Sequence, residues 1–451
     1  MSAPFRVRII QPCIGRRRGQ RGYIRTWQME PLAVALLAGL LPADVEVGFS
    51  DDRFGESAAE APCDLALIPV ETYTARRAYQ IASDLRRRRV PVVMGGFHAT
   101  LAPDEVMRYA DSTVVGEAEE VLPRLIDDWR HGRSQHVYRA SGRPSLTARR
   151  YRRDVYAGRS YLPISLVETS RGCRHTCDFC AVTAAYAAST KRRPADEVAA
   201  EVATLPRHRL IFLIDDNFVA DPAGAKELCR ALAPLRRRWV GQATVAAARD
   251  PELLSLMAAS GCRGVLVGFE SLDQAELERM GKGFNRNPAA AIAAFRSHGI
   301  AVYGTFVIGS DGDDAASVAE RLRFALDQGL FLAGFNHCTP FPGTPLHHRL
   351  AAEGRLRWPA WWLADDYRYN EVPYHPQRMS AAEVREACLA ARRRFYGVGG
   401  IWRRLRLGER LRDPRMAALF LAANAMHRGD VDGRDGLPLG DEAWNGELIP
   451  V

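Results

Sequence analysis

The chain has 451 residues, 47% of them hydrophobic and 25% charged, with a net charge of +9. These proportions exclude a largely disordered, collagenous or small disulfide-stapled chain, and at roughly 150 residues per domain they suggest two or three domains. Only Lys191, Lys226 and Lys282 are lysines, so 59 of the 62 basic residues are arginines. That bias reads as the habit of a GC-rich genome, and no nucleic-acid partner is expected from charge alone. No run of about 18 apolar residues occurs, so no transmembrane segment is expected. The N-terminus has only a short apolar run before Arg16, Arg17 and Arg18, a poor signal peptide, and the expected location is cytoplasmic.

The first 130 residues alternate strand and helix patterns. Phe5–Gln11, Val45–Ser50, Leu65–Pro69, Val90–Gly95 and Ser112–Gly116 read as strands, with helices over Met29–Leu41, Thr74–Arg88, Pro103–Ala110 and Ala118–Trp129. Strands separated by helix-length segments predict a doubly wound, Rossmann-like parallel sheet (residues 1–135) whose ligands sit beyond the carboxyl ends of its strands. Residues 136–160 are polar, basic and aperiodic, and read as an ordered linker. Between residues 161 and 345 the alternation returns. Strands are predicted at Ile164–Thr169, Leu210–Asp215, Trp239–Thr244, Gly264–Phe269, Ala301–Ile308 and Leu332–Cys338, with helices including Pro194–Leu205, Ala223–Leu235, Pro251–Ala259, Pro288–His298 and Asp314–Asp327. Six such repeats without hairpins predict a partial (β/α)6 TIM-like barrel, with its chemistry at the strand carboxyl ends. Residues 346–451 read as a mainly helical cap. Trp358, Trp361 and Trp362 cluster there as core, lid or substrate wall. Arg392–Arg415 carries nine arginines against Glu409 and Asp413 and is expected to be a solvated basic face.

Nine cysteines are present, six of them scattered singly. Cys173, Cys177 and Cys180 instead share one loop directly after the first barrel strand. Three thiolates there can occupy three corners of a cuboidal iron–sulfur cluster and leave one iron open. Zinc and plain burial are the alternatives, but structural zinc takes four ligands, often in two separated pairs, and no second Cys-x-x-Cys occurs. Cys338 reads as a small buried residue rather than a catalytic thiol.

Cys173-x-x-x-Cys177-x-Phe179-Cys180 after a barrel strand resembles the radical S-adenosylmethionine (SAM) superfamily. The resemblance implies a 4Fe-4S cluster on the three cysteines that reductively cleaves SAM to a 5′-deoxyadenosyl radical. It further implies SAM contacts at Phe179, at the second-strand triplet Asp215, Asp216 and Asn217, at Gln242 and Arg249 around the third strand end, and at Glu270 and Ser271 after the fourth. Each has a structural alternative: Asp215 or Asp216 as a helix cap, Glu270 as a buried ion-pair partner.

The glycine-bearing strand ends Gly95-Gly96-Phe97-His98 and Gly116-Glu117 of the first sheet resemble the cobalamin-binding domain that precedes many such barrels. The two resemblances together cover residues 1–345, and this one implies cobalamin contacts at Thr72, Thr74, Gly95, Gly96, Phe97, His98, Gly116 and Glu117. The histidine-bearing Asp-x-His-x-x-Gly segment of cobalamin proteins is missing after the first strand, where Gln11-Pro-Cys13-Ile-Gly15 stands, so no axial ligand is assigned. The first loop, with Arg16, Arg17, Arg18 and Arg21, could hold corrin substituents or be a solvated loop.

The function implied is cobalamin-dependent C-methylation of an unactivated carbon in a small molecule or lipid, fed by a low-potential donor such as flavodoxin or ferredoxin. Radical cyclisation or rearrangement is the alternative reaction, and a first domain without cobalamin the alternative architecture.

Overall fold

A computed structural model describes residues 4–20, 22–56, 62–407 and 414–451. Arg21, Glu409 and Asp413 lie outside the described residues. Strands β1 (Arg6–Gln11), β2 (Glu46–Asp51), β3 (Leu65–Pro69), β4 (Val92–Gly95), β5 (Ser112–Val115) and β6 (Val137–Arg139) form one parallel sheet in the order β2-β1-β3-β4-β5-β6. A sheet covered on both faces needs apolar residues at every position, and Leu65, Ala66, Leu67 and Ile68 are all buried. One face packs on helices α1 (Leu32–Leu40) and α2 (Ala118–Arg130). The other packs on helix Ala75–Arg87 together with Trp361, Trp362, Tyr367 and Leu439, which fold back from the C-terminal region. The tryptophan cluster is therefore core.

Two departures from the sequence reading have local causes. The helix expected over Pro103–Ala110 is replaced by two short ones, Phe97–Leu101 and Pro103–Val106, with the break just before the proline. The supposed linker opens with β6, whose Tyr138 is fully buried. Three residues are too short a run to show a period.

The second sheet holds β7 (Ile164–Val167), β8 (Leu210–Leu213), β9 (Trp239–Ala243), β10 (Cys262–Glu270), β11 (Ala301–Ile308) and β12 (Leu332–His337) in sequential order, all parallel, with β7 and β12 as open edges. Helices α3 (Ala195–Thr204), α4 (Pro222–Leu232), α5 (Pro251–Ala259), α6 (Pro288–Ser297) and α7 (Ala315–Asp327) contribute buried side chains to the outer core. Outward residues such as Trp239, Phe269 and Phe306 are buried in that layer, and Phe324 of α7 meets Phe306 edge-on. The inward residues behave differently. Phe212, Val240, Gln242, Leu266, Tyr303 and Thr305 are all partly exposed, and the register sets Phe212 beside Val240, Gln242 beside Leu266, and Leu266 beside Tyr303. A closed TIM barrel fills its interior with side chains; this partial barrel keeps a lumen.

Beyond the barrel come helices α8 (Ala381–Tyr396), α9 (Val398–Leu407) and α10 (Pro414–Arg434). The expected basic face is only partly one. Arg404 is fully buried and donates to the carbonyls of Leu330, Phe331 and Phe395 and to Asn424 Oδ1 at 2.8–3.1 Å. The C-terminal segment then returns to the first sheet. Gly440–Asp441 pairs with Gly15–Arg16, the Asp441 amide donates to Gln80 at 2.7 Å, and the Ile449 amide donates to Ser83 at 2.9 Å.

Candidate functional site

The carboxyl ends of β3–β5 face the carboxyl ends of β7 and β8 across a cavity of about 410 Å3. Of the expected cobalamin residues, Gly95, Gly96, Phe97, Gly116 and Glu117 line it. The glycines are required by close approach. A Cβ on Gly96 (φ 106°) would lie 2.9 Å from the Val70 carbonyl oxygen, and one on Gly116 (φ 88°) would lie 3.1 Å from the Ala140 Cβ. Leu32, Leu36 and Leu122 add an apolar wall. A backbone-floored, apolar-walled space at this edge suits a large flat corrin. Thr72, Thr74 and His98 are buried and do not line the cavity. His98 faces Thr72 at 3.3 Å and Glu105 at 3.1 Å, and Glu105 also accepts from Tyr79 (2.9 Å) and Trp362 (3.0 Å). This network ties the sheet to the C-terminal region, so the histidine following the paired glycines is a structural hub. Among the described residues no histidine lines the cavity. The first-loop arginines also serve the protein: Arg16 pairs with Asp52 and Asp441, and Arg17 donates to the Gly433 and Asp435 carbonyls.

The cysteine loop is held from beneath. Fully buried Asp215 accepts from the backbone N–H groups of Thr169 (2.7 Å) and Ser170 (2.9 Å) and from both hydroxyls. Its carboxylate is thus fully engaged as a brace rather than turned to a ligand. Burial pushes the Asp215 carboxyl up against the pull of those bonds. Asp216 accepts from Gly172 N–H at 2.7 Å and lines the cavity. Gly172 itself sits at φ 90°, where a Cβ would lie 2.1 Å from the Ser189 carbonyl oxygen. Asn217 Nδ2 donates to Cys173 Sγ at 3.6 Å, a contact that stabilises charge on the sulfur.

Cys177 is buried, and Cys173 and Cys180 are partly buried. Burial pushes the Cys177 thiol up to about 12, Lys282 pulls it down, and the charges of Cys180 and Cys173 push it up, as expected of neighbouring thiolates. Among the described residues no three His, Cys, Asp or Glu groups converge on a single ion. A mononuclear site needs such convergence; a cuboidal cluster takes each thiolate on a different iron, and this soft three-sulfur donor set fits it.

Glu270 forms an ion pair with Lys282 Nζ at 2.6 Å, both nearly buried. Burial pulls the Lys282 ammonium down, but the Glu270 and Cys177 charges outweigh it and hold it above its ordinary value. Glu270 lies at φ 61°, a left-handed conformation that costs a non-glycine residue on the order of 1–3 kcal/mol. Asn285 Nδ2 fixes the same turn, donating to the Gly268 and Phe269 carbonyls at 2.9 Å. Ser271 is buried and accepts from Arg321 at 2.9 Å. Gln242 projects into the lumen. Arg249 is exposed and donates to the Phe284 carbonyl at 3.1 Å, and the Phe284 ring stacks on His175 of the cysteine loop at 3.8 Å. Phe179 packs on the barrel core.

Sequence reasoning missed three groups. Glu71 lines the cavity with its side chain exposed there, and the Asp216 charge pushes its carboxyl up, while burial pushes Asp216 up to about 6. Arg171 bridges Glu117 (2.7 Å), Glu119 (2.9 Å) and Glu168 (2.8 Å), and Arg143 joins Glu117 to the Ser189 carbonyl, welding the two domains beside the cysteine loop. Lys282 had one available signal, being one of three lysines in an arginine-dominated chain. A second, smaller cavity of about 270 Å3 opens beside Asp178, Asp311, Cys338 and Arg349 at the ends of β11 and β12.

Two family models match the chain: the Radical SAM superfamily over residues 167–325 and the B12 binding domain over residues 26–126. A bacteriochlorophyllide d C-12(1)-methyltransferase of Chlorobaculum tepidum is 28% identical over 389 residues, 83% of this chain and 84% of its own. A hopanoid C-2 methylase of Rhodopseudomonas palustris is 24% identical, covering 80% of this chain and 71% of its own. The solved radical SAM methyltransferase TsrM of Kitasatospora setae, with cobalamin and a [4Fe-4S] cluster bound, shares the fold over 78% of each chain at a TM-score of 0.63 and 20% identity.

Proposed function

The chain belongs to the radical SAM superfamily and carries a B12 binding domain, and from that premise we propose that it methylates an unactivated carbon of a small molecule or lipid. The observation that carries the reading is the shared cavity, where the glycine-lined ends of β4 and β5 face the brace of the cysteine loop. When bound, a 4Fe-4S cluster on Cys173, Cys177 and Cys180 supplies the electron that cleaves SAM, and cobalamin on Gly95, Gly96, Phe97 and Gly116 supplies the methyl carrier. The protein's own groups do the positioning. Asp215 and Asn217 fix the loop, Lys282 offsets thiolate charge, and Arg143 and Arg171 hold the two domains in one arrangement. Asp216 and Gln242, with Arg249, Glu270 and Ser271 at the following strand ends, are the groups assigned to SAM in this reading. Burial raises the proton affinity of the Asp216 carboxyl, and the neighbouring Asp216 charge raises that of Glu71. A low-potential flavodoxin or ferredoxin in the cytoplasm is the matching electron source. Among the described residues no helix is long and apolar enough to cross a membrane.

The test is anaerobic reconstitution with iron, sulfide and cobalamin, followed by dithionite and SAM labelled in its methyl group. The expected results are 5′-deoxyadenosine and label in the substrate. Cys177→Ala is expected to abolish cluster absorbance and SAM cleavage; retention of both overturns the site. Failure of cobalamin to titrate in overturns methyl transfer. Deoxyadenosine without label transfer points to cyclisation or rearrangement.

A further inference from the structure

A run of aromatic rings lies apart from the residues assigned to the cofactors. Trp27 from the first loop, Tyr73 from the turn after β3, and Tyr369 from the C-terminal region meet in a continuous series, with ring centroids 5.2 Å apart for Trp27–Tyr369 and 5.3 Å for Tyr73–Tyr369. All three rings are partly exposed. The Arg434 guanidinium lies over Trp27 at 4.9 Å, and Trp361 and Phe341 back Tyr73 at 4.9 and 5.8 Å; the parts left uncovered, drawn from three distant segments, offer a surface suited to flat, apolar rings.

Beside them, on the open edge of the barrel, stands Arg392 of α8. Its Nε donates to the Phe335 carbonyl of β12 at 2.9 Å, Nη1 to Asn370 Oδ1 at 3.0 Å, and Nη2 to Asn336 Oδ1 at 2.9 Å. All three acceptors are neutral, and among the described residues no carboxylate lies within ion-pair distance of it. A guanidinium has five N–H donors, so two remain. The brace is built at a cost: Asn370 is buried and held at φ 77°. Inside the barrel, a Cβ on Gly334 would meet Asn336 Nδ2 at 3.3 Å, Thr305 Cγ2 at 3.4 Å and the Tyr303 hydroxyl at 3.6 Å, so the polar groups around Arg392 converge on the lumen. The carboxylates of this edge are engaged by other arginines, Asp435 and Glu371 by Arg385, Asp430 by Arg434 and Asp432 by Arg393, and Asp435 also accepts from Asn370 at 3.4 Å. Burial and Arg392 push His337 down to about 3, and burial and Arg434 push His427 down to about 4. His337 Nε2 is buried without a partner. Arg392 itself keeps only neutral partners, while Glu71 and Asp216 belong to the turns after β3 and β8.

We propose that the substrate is a flat, multi-ring molecule bearing a carboxylate, its rings on Trp27, Tyr73 and Tyr369 and its carboxylate on Arg392. The assignment rests on the methyltransferase reading for its reaction, and on the wall and the arginine for its ligand. The acid end is held at the barrel edge while the rings extend toward the shared cavity.

The probe is 1-pyrenebutyric acid against its methyl ester, measured by anaerobic equilibrium dialysis on the reconstituted holoprotein. The acid is expected to bind at least about tenfold tighter than the ester, the range for a hydrogen bond to a charged group. Arg392→Met is expected to lower the acid to the ester's affinity and leave the ester unchanged, and Arg392→Lys to fall between. Equal binding of acid and ester by the parent, or a preference that survives Arg392→Met, overturns the proposal. So does loss of ester binding by an Arg392→Met variant that melts like the parent. If that variant melts early, Arg392→Gln decides, since glutamine keeps an amide donor toward the neutral acceptors and removes the charge; an unchanged acid preference there overturns the proposal. SAM cleavage is measured on the same preparations. Cleavage without acid preference overturns the ligand assignment alone; acid preference without cleavage overturns the reaction alone.

Discussion

Replacing Lys282 by methionine should separate a structural ion pair from the chemistry beside it. The ammonium lies 2.6 Å from Glu270, with side-chain exposures of 11% and 8%. Removing one member of a buried pair leaves the other charge unpaired, at about 3–5 kcal/mol. At roughly 2–4 °C per kcal/mol for a domain of this size, thermal unfolding should fall by about 6–20 °C. The Glu270→Gln/Lys282→Met double variant removes both charges and should recover at least half of that loss, because neutral buried groups carry a smaller desolvation penalty. Differential scanning fluorimetry on the apoprotein reads the pair, and iron per chain after reconstitution reads its effect on Cys177, whose thiol Lys282 pulls down. Single and double variants that melt at the same reduced temperature would refute the reasoning, since the cost would then come from lost packing. A single variant within 2 °C or so of the parent would show that the pair is hydrated and carries little of the stability assigned to it.

The other predictions concern the loop and the domain contact. Asp215→Ala leaves two buried N–H groups unsatisfied at about 1–3 kcal/mol each, so cluster loading, measured as iron per chain, should fall sharply, with Asp215→Asn falling less. Gly172→Ala places a Cβ 2.1 Å from a carbonyl oxygen at φ 90°; circular dichroism should stay near that of the parent while iron binding is lost, and a fully loaded variant would contradict the close approach. Burial pushes the Glu105 carboxyl up, but hydrogen bonds from His98, Trp362 and Tyr79 outweigh it and hold the carboxyl below its ordinary 4.5. Its contribution is therefore complete above 4.5 and disappears as the pH falls through the lower folded value. Parent and Glu105→Gln melting curves should converge in acid, and curves that stay parallel down to pH 3 or so would count against the network.

What was legible in the sequence was whatever repeats or clusters. The twelve strands of the two sheets left runs such as Leu65–Pro69 and Ala301–Ile308, and β6 alone was too short to register. The cysteine spacing pointed to the cluster loop because the ligands are adjacent in the chain. The roles of Asp215 and His98 were not legible. Each stands at a strand end where a ligand contact is plausible, and only the tertiary partners, Thr169 and Ser170 for one and Glu105 for the other, reveal a brace. The lumen was hidden for a related reason: Phe212, Leu266 and Tyr303 look like ordinary core in a strand, and their exposure depends on the barrel being left open. Arg404 shows the converse, a charge in a basic run that is buried against main-chain carbonyls, those of Leu330, Phe331, Phe395 and Gly400 among them, and Asn424.

The returning C-terminal segment bears on how such proteins can be recombined. Asp441, Trp444 and Ile449 are fastened to Gln80, Asp84 and Ser83 on the Ala75–Arg87 helix, and Leu439 is part of the first sheet's own core. The first 135 residues are thus not a cassette that can be lifted out or exchanged with that of a relative. A chimera joined only at the linker would carry a tail shaped for another sheet, strip a hydrophobic face of its cover and lose the pairing at Gly15–Arg16. Exchange has to keep β6 with the sheet and move the Trp361–Tyr367 segment and the last dozen residues along with it, since all of them cover or extend the same sheet.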